Sequence, residues 1–176
     1  ILVVGAAAIA LLEARRANTG SGDREGRATR GGTTRSTLSA YIALTKPRIV
    51  ELLLITTVPA MFLAAQGVPP LTLVLCTLIG GTLSAASANV FNCIVDADID
   101  QQMTRTAGRP LVTGEISTGA ALLFASVLGA ASFLFLAATT TLMAAFLSLL
   151  AIGFYVLIYT LILKRSTPQN IVIGGA

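Results

Sequence analysis

Asn92, Asp96 and Asp100 recur at intervals of four where a long apolar run ends, in Ala88-Asn-Val-Phe-Asn-Cys-Ile-Val-Asp-Ala-Asp-Ile-Asp-Gln-Gln-Met-Thr-Arg-Thr-Ala-Gly-Arg-Pro110. Each step of four turns a helix by only about 40°, so the three side chains share one face. A helix continuing that far directs Asp98 away from them. Carboxylates at a helix C-terminus and at a membrane boundary are disfavoured unless a cation meets them. Oxygen donors in a chain without histidine suit Mg²⁺, which takes one or two carboxylates plus phosphate oxygens. Arg105 and Arg109 follow directly, and arginine's planar fork matches phosphate. The pattern predicts a metal–diphosphate site at the mouth of a membrane cavity. The plainer alternative is a solvated loop in which aspartates and arginines pair with one another.

Other chemistry-bearing residues cluster at the ends of apolar runs. Lys46, Arg48 and Glu51 open the first run, with Pro47 suited to a first helical turn. Glu51 falls about one turn inside the apolar stretch, where an acid either serves function or pairs with Arg48. Tyr155 and Tyr159 stand one turn apart and lead to Lys164 and Arg165. Interfacial tyrosines commonly anchor a span and terminal basic residues suit the helix dipole. Gly81, Ala85 and Ala88 extend the Asn92 stripe into the bilayer. Such a stripe fits close helix packing or a groove wall thin enough to admit a lipid-like chain. Cys76 and Cys93 fall roughly 25 Å apart on one helix, too far to pair, and read as packing residues.

The elements that must position these residues follow from composition. The chain has 176 residues, 55% hydrophobic and 11% charged, with mean hydropathy +0.83. Soluble domains carry about 25% charged residues, so this is a membrane protein. The net charge of +4 comes without a basic, aromatic-interleaved stripe, which argues against nucleic acid. Spans are expected over 49–66 (with Pro59 a kink), 71–95, 119–138 and 142–163, and a fifth opens at Ile171. Loops fall at 67–70, 96–118 and 139–141. The fold class is therefore all-α, a polytopic membrane helical bundle with four complete spans and the start of a fifth.

Residues 1–40 divide into an apolar stub, too short to span, and a flexible linker over 13–40. The linker's six arginines against three acids suit an anionic membrane surface. An organelle transit segment is similarly rich in Arg and Ser, but Glu13, Asp23 and Glu25 count against one. Residues 41–176 form the membrane part. The start at Ile1 and the apolar run opening at Ile171 lead us to expect a longer polypeptide. All twelve Lys and Arg residues fall before the first span, between the second and third, or after the fourth. By the positive-inside rule that side faces the cytoplasm.

Asn92-x-x-x-Asp96-x-x-x-Asp100 resembles the first aspartate-rich motif of the UbiA superfamily of intramembrane prenyltransferases. Four further runs resemble its haem-farnesylating branch: Lys46-Pro-Arg-Ile-Val-Glu51, Met103-x-Arg-Thr106, Arg109-Pro-Leu-Val-Thr-Gly114, and Tyr159-Thr-x-x-Leu-Lys-Arg-x-Thr-Pro-Gln-Asn-Ile-Val-Ile-Gly-Gly175. The likeness covers residues 41–176. It implies a bundle of nine spans around a central cavity, with a second acidic motif in a later half. It further implies Mg²⁺ and farnesyl diphosphate as donor, with haem b as the acceptor substrate. The diphosphate leaves, a haem vinyl group captures the farnesyl cation, and water adds.

In that scheme Asp96 and Asp100 ligate Mg²⁺ while Asn92 orients the metal shell or the diphosphate. Arg105, Arg109 and Lys164 contact phosphate oxygens, and Lys46, Arg48, Tyr159 and Asn170 complete the substrate-binding set. Met103 is a weak candidate for axial haem ligation. The resemblance also implies a bacterial inner membrane, the acidic loop on its cytoplasmic side, and handover to haem A synthase or cytochrome oxidase assembly. Rival readings are the same fold acting on an aromatic quinone precursor, a cation-binding transporter, and a structural subunit without chemistry.

Overall fold

A computed structural model of the chain describes residues 36–163. The expectations for residues 1–35, for Lys164 and Asn170, and for a fifth span lie outside the described residues. Those described form helices joined by turns and no strand: α1 (Thr37–Thr45), α2 (Pro47–Ala65), α3 (Leu71–Asp100), α4 (Thr118–Thr139) and α5 (Leu142–Gly153). The fifth passes directly into a π-helical segment, Phe154–Leu163. Among the described residues, four helices are long and apolar enough to cross a membrane: Pro47–Ala65, Leu71–Asp100, Thr118–Thr139 and Leu142–Thr160. The chain is a multi-pass membrane protein.

Two boundaries differ from the sequence expectation, each for a local reason. Helix begins at Thr37, inside the stretch read as linker, because the Ser36 hydroxyl accepts from the Ser39 amide and caps the turn. Ala40 and Leu44 then bury themselves on α3 beside Val90, Cys93 and Ile94. The helix read as ending at Val95 continues to Asp100, so the acids stand on helix rather than in a loop.

Pro47 lacks an amide proton and restricts the residue before it, so α1 must stop there. Lys46 takes up a left-handed backbone, φ 52° and ψ 64°, and joins α1 to α2. The Thr45 carbonyl accepts instead from Asn89 Nδ2 at 2.9 Å. Pro59 lies within α2, which runs on to Ala65.

α3 is the central rod and touches every other element. Its closest partner is α4, which turns a stripe of small residues inward: Ala121, Ala125, Gly129 and Ser132, ending in Leu136. Small side chains let the two backbones approach, the usual means of packing helices where lipid supplies no hydrophobic drive. A Cβ on Gly80 would lie 2.4 Å from Leu136 Cδ2. Serine hydroxyls fasten the seam, Ser87 donating to the Ala125 carbonyl and Ser132 to the Gly80 carbonyl, both at 2.8 Å. Ser148 of α5 joins them by donating to Ser84 at 2.8 Å. By contrast α2 buries only Val50, and its apolar flank, including Leu52 and Ile55, is exposed.

Candidate active site

Among the described residues, the C-terminal half of α3 holds the longest buried run, with every residue from Asn89 to Asp96 buried. Periodicity in steps of four places Asn92, Asp96 and Asp100 on one face, all buried, at 3%, 1% and 5% exposure. Asp98 is exposed, as its position one half-turn away requires.

Two cations meet this face from different elements. The left-handed hinge aims Lys46 across to α3, where its Nζ donates to Asn92 Oδ1 at 2.7 Å. Arg109, from the loop after α3, forms an ion pair with the Asp100 carboxylate. That loop folds back because the Thr106 hydroxyl donates to the Asp100 carbonyl at 3.0 Å. It closes on Gly114, whose φ of 79° suits glycine. This is the aspartate–arginine pairing of the plainer sequence reading, made at a buried helix end rather than in a solvated loop.

Of the other residues singled out in the sequence, Arg48, Glu51 and Arg105 are exposed, and Met103 is 50% exposed. Tyr159 stacks on Tyr155, ring centroids 5.2 Å apart and planes 14° from parallel. Two functional-looking residues were missed. Thr160, fully buried, accepts from Asn92 Nδ2 at 3.2 Å. Asn89 holds the α1 terminus and lines the neighbouring cavity. An amide and a hydroxyl inside apolar runs were the available signals.

That cavity, about 930 Å³, opens between α2, α3 and α5. Ile49, Leu52, Gly81, Ala85, Ala88 and Phe154 give it apolar walls, and Asn89 and Tyr155 mark its polar end. Gly81 meets nothing within 4 Å where a Cβ would stand. Gly81, Ala85 and Ala88 all line the cavity, so the stripe takes its groove-wall reading, and the close packing falls to Gly80, outside that stripe.

The donor set can be tested against a divalent ion. Among the described residues no group of three or more His, Cys, Asp or Glu is arranged to hold a metal. Two buried carboxylates one turn apart nevertheless fit Mg²⁺, which needs only one or two alongside phosphate oxygens. Asn92 is less available as a ligand, since its oxygen already accepts from Lys46.

A family model described as the UbiA prenyltransferase family matches residues 53–176. The chain belongs to that family. Similar UbiA-type proteins include "Protoheme IX farnesyltransferase 1" of Saccharopolyspora erythraea, 61% identical over 142 residues, covering 81% of this chain and 46% of that protein. "Protoheme IX farnesyltransferase" of Leifsonia xyli subsp. xyli is 62% identical over 138 residues, 78% of this chain and 45% of its own length. The protein of that name from Mycobacteroides abscessus is 56% identical over 141 residues, 80% of this chain and 45% of its own. The chain spans a little under half the length of these relatives. No solved structure matches it.

Proposed function

We propose that the protein carrying this chain transfers a farnesyl group from farnesyl diphosphate to a vinyl group of haem b, forming haem O and releasing diphosphate. The observation that carries this reading is a buried acidic face, met by Lys46 and Arg109, next to an apolar groove of prenyl-chain dimensions. The substrates are taken from what the relatives' names say of those proteins. The bilayer setting agrees with chemistry on two lipophilic molecules.

The chain's own residues supply three functions. The groove between α2, α3 and α5 takes the farnesyl chain and keeps water from the allylic cation. Lys46 and Arg109 put positive charge where the leaving diphosphate develops its own. Asp96 and Asp100 would hold Mg²⁺, whose charge stabilises the same leaving group when it is bound. Arg105 and the basic residues beyond the described range add phosphate contacts in this reading. The acidic end faces the cytoplasm of a bacterial inner membrane, the side where all the Lys and Arg residues gather.

The test uses the full-length enzyme in detergent with farnesyl diphosphate and either haem b or 4-hydroxybenzoate as acceptor. Product from haem b that disappears on chelating divalent ions is the expected result. Prenylation of the aromatic acid in its place would overturn the acceptor, and turnover that survives chelation would overturn the metal.

A further inference from the structure

We propose that Thr160 is a positioning residue: it holds the Asn92 amide in the one orientation that presents the Lys46 ammonium to a diphosphate. This inference rests on the reading above. An amide has two unlike ends, an oxygen that accepts and a nitrogen that donates. Lys46 has protons only to give, so it requires the oxygen, and the Asn92 Oδ1 contact at 2.7 Å supplies it. The nitrogen end then needs an acceptor, and Thr160 Oγ1 provides one at 3.2 Å.

Thr160 is kept in that accepting role by its own backbone. Its hydroxyl proton is committed to the Tyr155 carbonyl at 2.9 Å, five residues earlier. A threonine in an ordinary α-helix bonds the carbonyl three or four residues back. The π-helical winding of Phe154–Leu163 changes that partner and leaves the oxygen's lone pairs facing α3. π-helical turns are frequent at functional sites.

The result is a chain of hydrogen bonds with a single direction. Lys46 donates to Asn92, Asn92 to Thr160, and Thr160 to the Tyr155 carbonyl. Turning the amide over would set its NH₂ against the ammonium and leave a hydroxyl facing a carbonyl. Asn92 and Thr160 are buried, at 3% and 0% exposure, so water does not compete for either bond. The start of the chain is also fixed, since Lys46 sits in a left-handed backbone between two helices. The ammonium is thereby aimed from both ends.

The experiment measures equilibrium binding of farnesyl diphosphate, and of uncharged farnesol, to the full-length protein without acceptor. Thr160→Val keeps the shape and removes the hydroxyl. We expect it to weaken farnesyl diphosphate about tenfold, the effect of one hydrogen bond, with farnesol binding unchanged and the thermal midpoint lowered because the buried Asn92 amide loses its acceptor. Thr160→Ser should restore the loss, and Thr160→Val should add nothing in a Lys46→Met background. Unchanged diphosphate affinity overturns the proposal, as does a parallel loss of farnesol binding or an effect that multiplies with Lys46→Met. If Thr160→Val does not fold, Thr160→Ala enters the same comparisons. A wild-type protein that binds farnesyl diphosphate while Thr160→Val binds equally sinks this inference alone. A wild type that binds none sinks the proposed function and Thr160's role together.

Discussion

Asp96, Asp98 and Asp100 are chemically identical and separated by two residues, yet α3 gives them different surroundings. Asp96 and Asp100 are buried, Asp100 against Arg109, while Asp98 is exposed. Asp96→Asn and Asp100→Asn are each expected to lower kcat/KM on the order of 100-fold, the scale for losing charge stabilisation in a transition state. Asp98→Asn should stay near wild type. Steady-state kinetics on the three variants in the full-length enzyme check this, and equal losses at all three would count against the face. The division was legible in the sequence because it needs only the helical repeat. Thr160 was not legible, because its partner depends on a winding change that periodicity does not encode. The Asn92–Lys46 contact was hidden for a related reason: it depends on the left-handed backbone of Lys46, which no sequence period announces.

Helices pack here by what they leave out. Gly80 and Gly81 are adjacent, but one faces Leu136 and the other faces the groove. Gly80→Ala is expected to destabilise the α3–α4 pair by about 1–3 kcal/mol, the usual cost of overpacking. A second change, Leu136→Ala, should relieve much of that strain. Gly81→Ala meets no atom and should leave the unfolding midpoint in place. Thermal unfolding in detergent separates the two, and an unaltered midpoint for Gly80→Ala would refute the close approach. Hydropathy located the spans to within a few residues, since twenty apolar side chains leave little alternative in lipid. It could not tell the two glycines apart, because which neighbour each meets is a property of the assembled bundle. α1 escaped notice because nine residues of mixed polarity resemble a linker until Leu44 finds α3.

For the molecule as a whole, the distribution of charge is what the proposed orientation rests on. The turn at Val68, 86% exposed, carries no charge, whereas the loop after α3 carries Arg105 and Arg109. In a background with Cys76 and Cys93 replaced by alanine, a cysteine at Gly108 should react with an impermeant reagent from the cytoplasmic side. A cysteine at Val68 should react only from the opposite side. The reverse pattern would overturn the proposed topology. The serine contacts among α3, α4 and α5 bear on how such a protein is built. Ser87 and Ser132 bind backbone carbonyls of the partner helix, and Ser148 reaches Ser84, in surroundings where no solvent molecule competes. As the nascent chain leaves the translocon, the second and third spans can therefore latch together before the fourth emerges. The fourth can then dock on that pair through Ser148 and close one side of the apolar cavity.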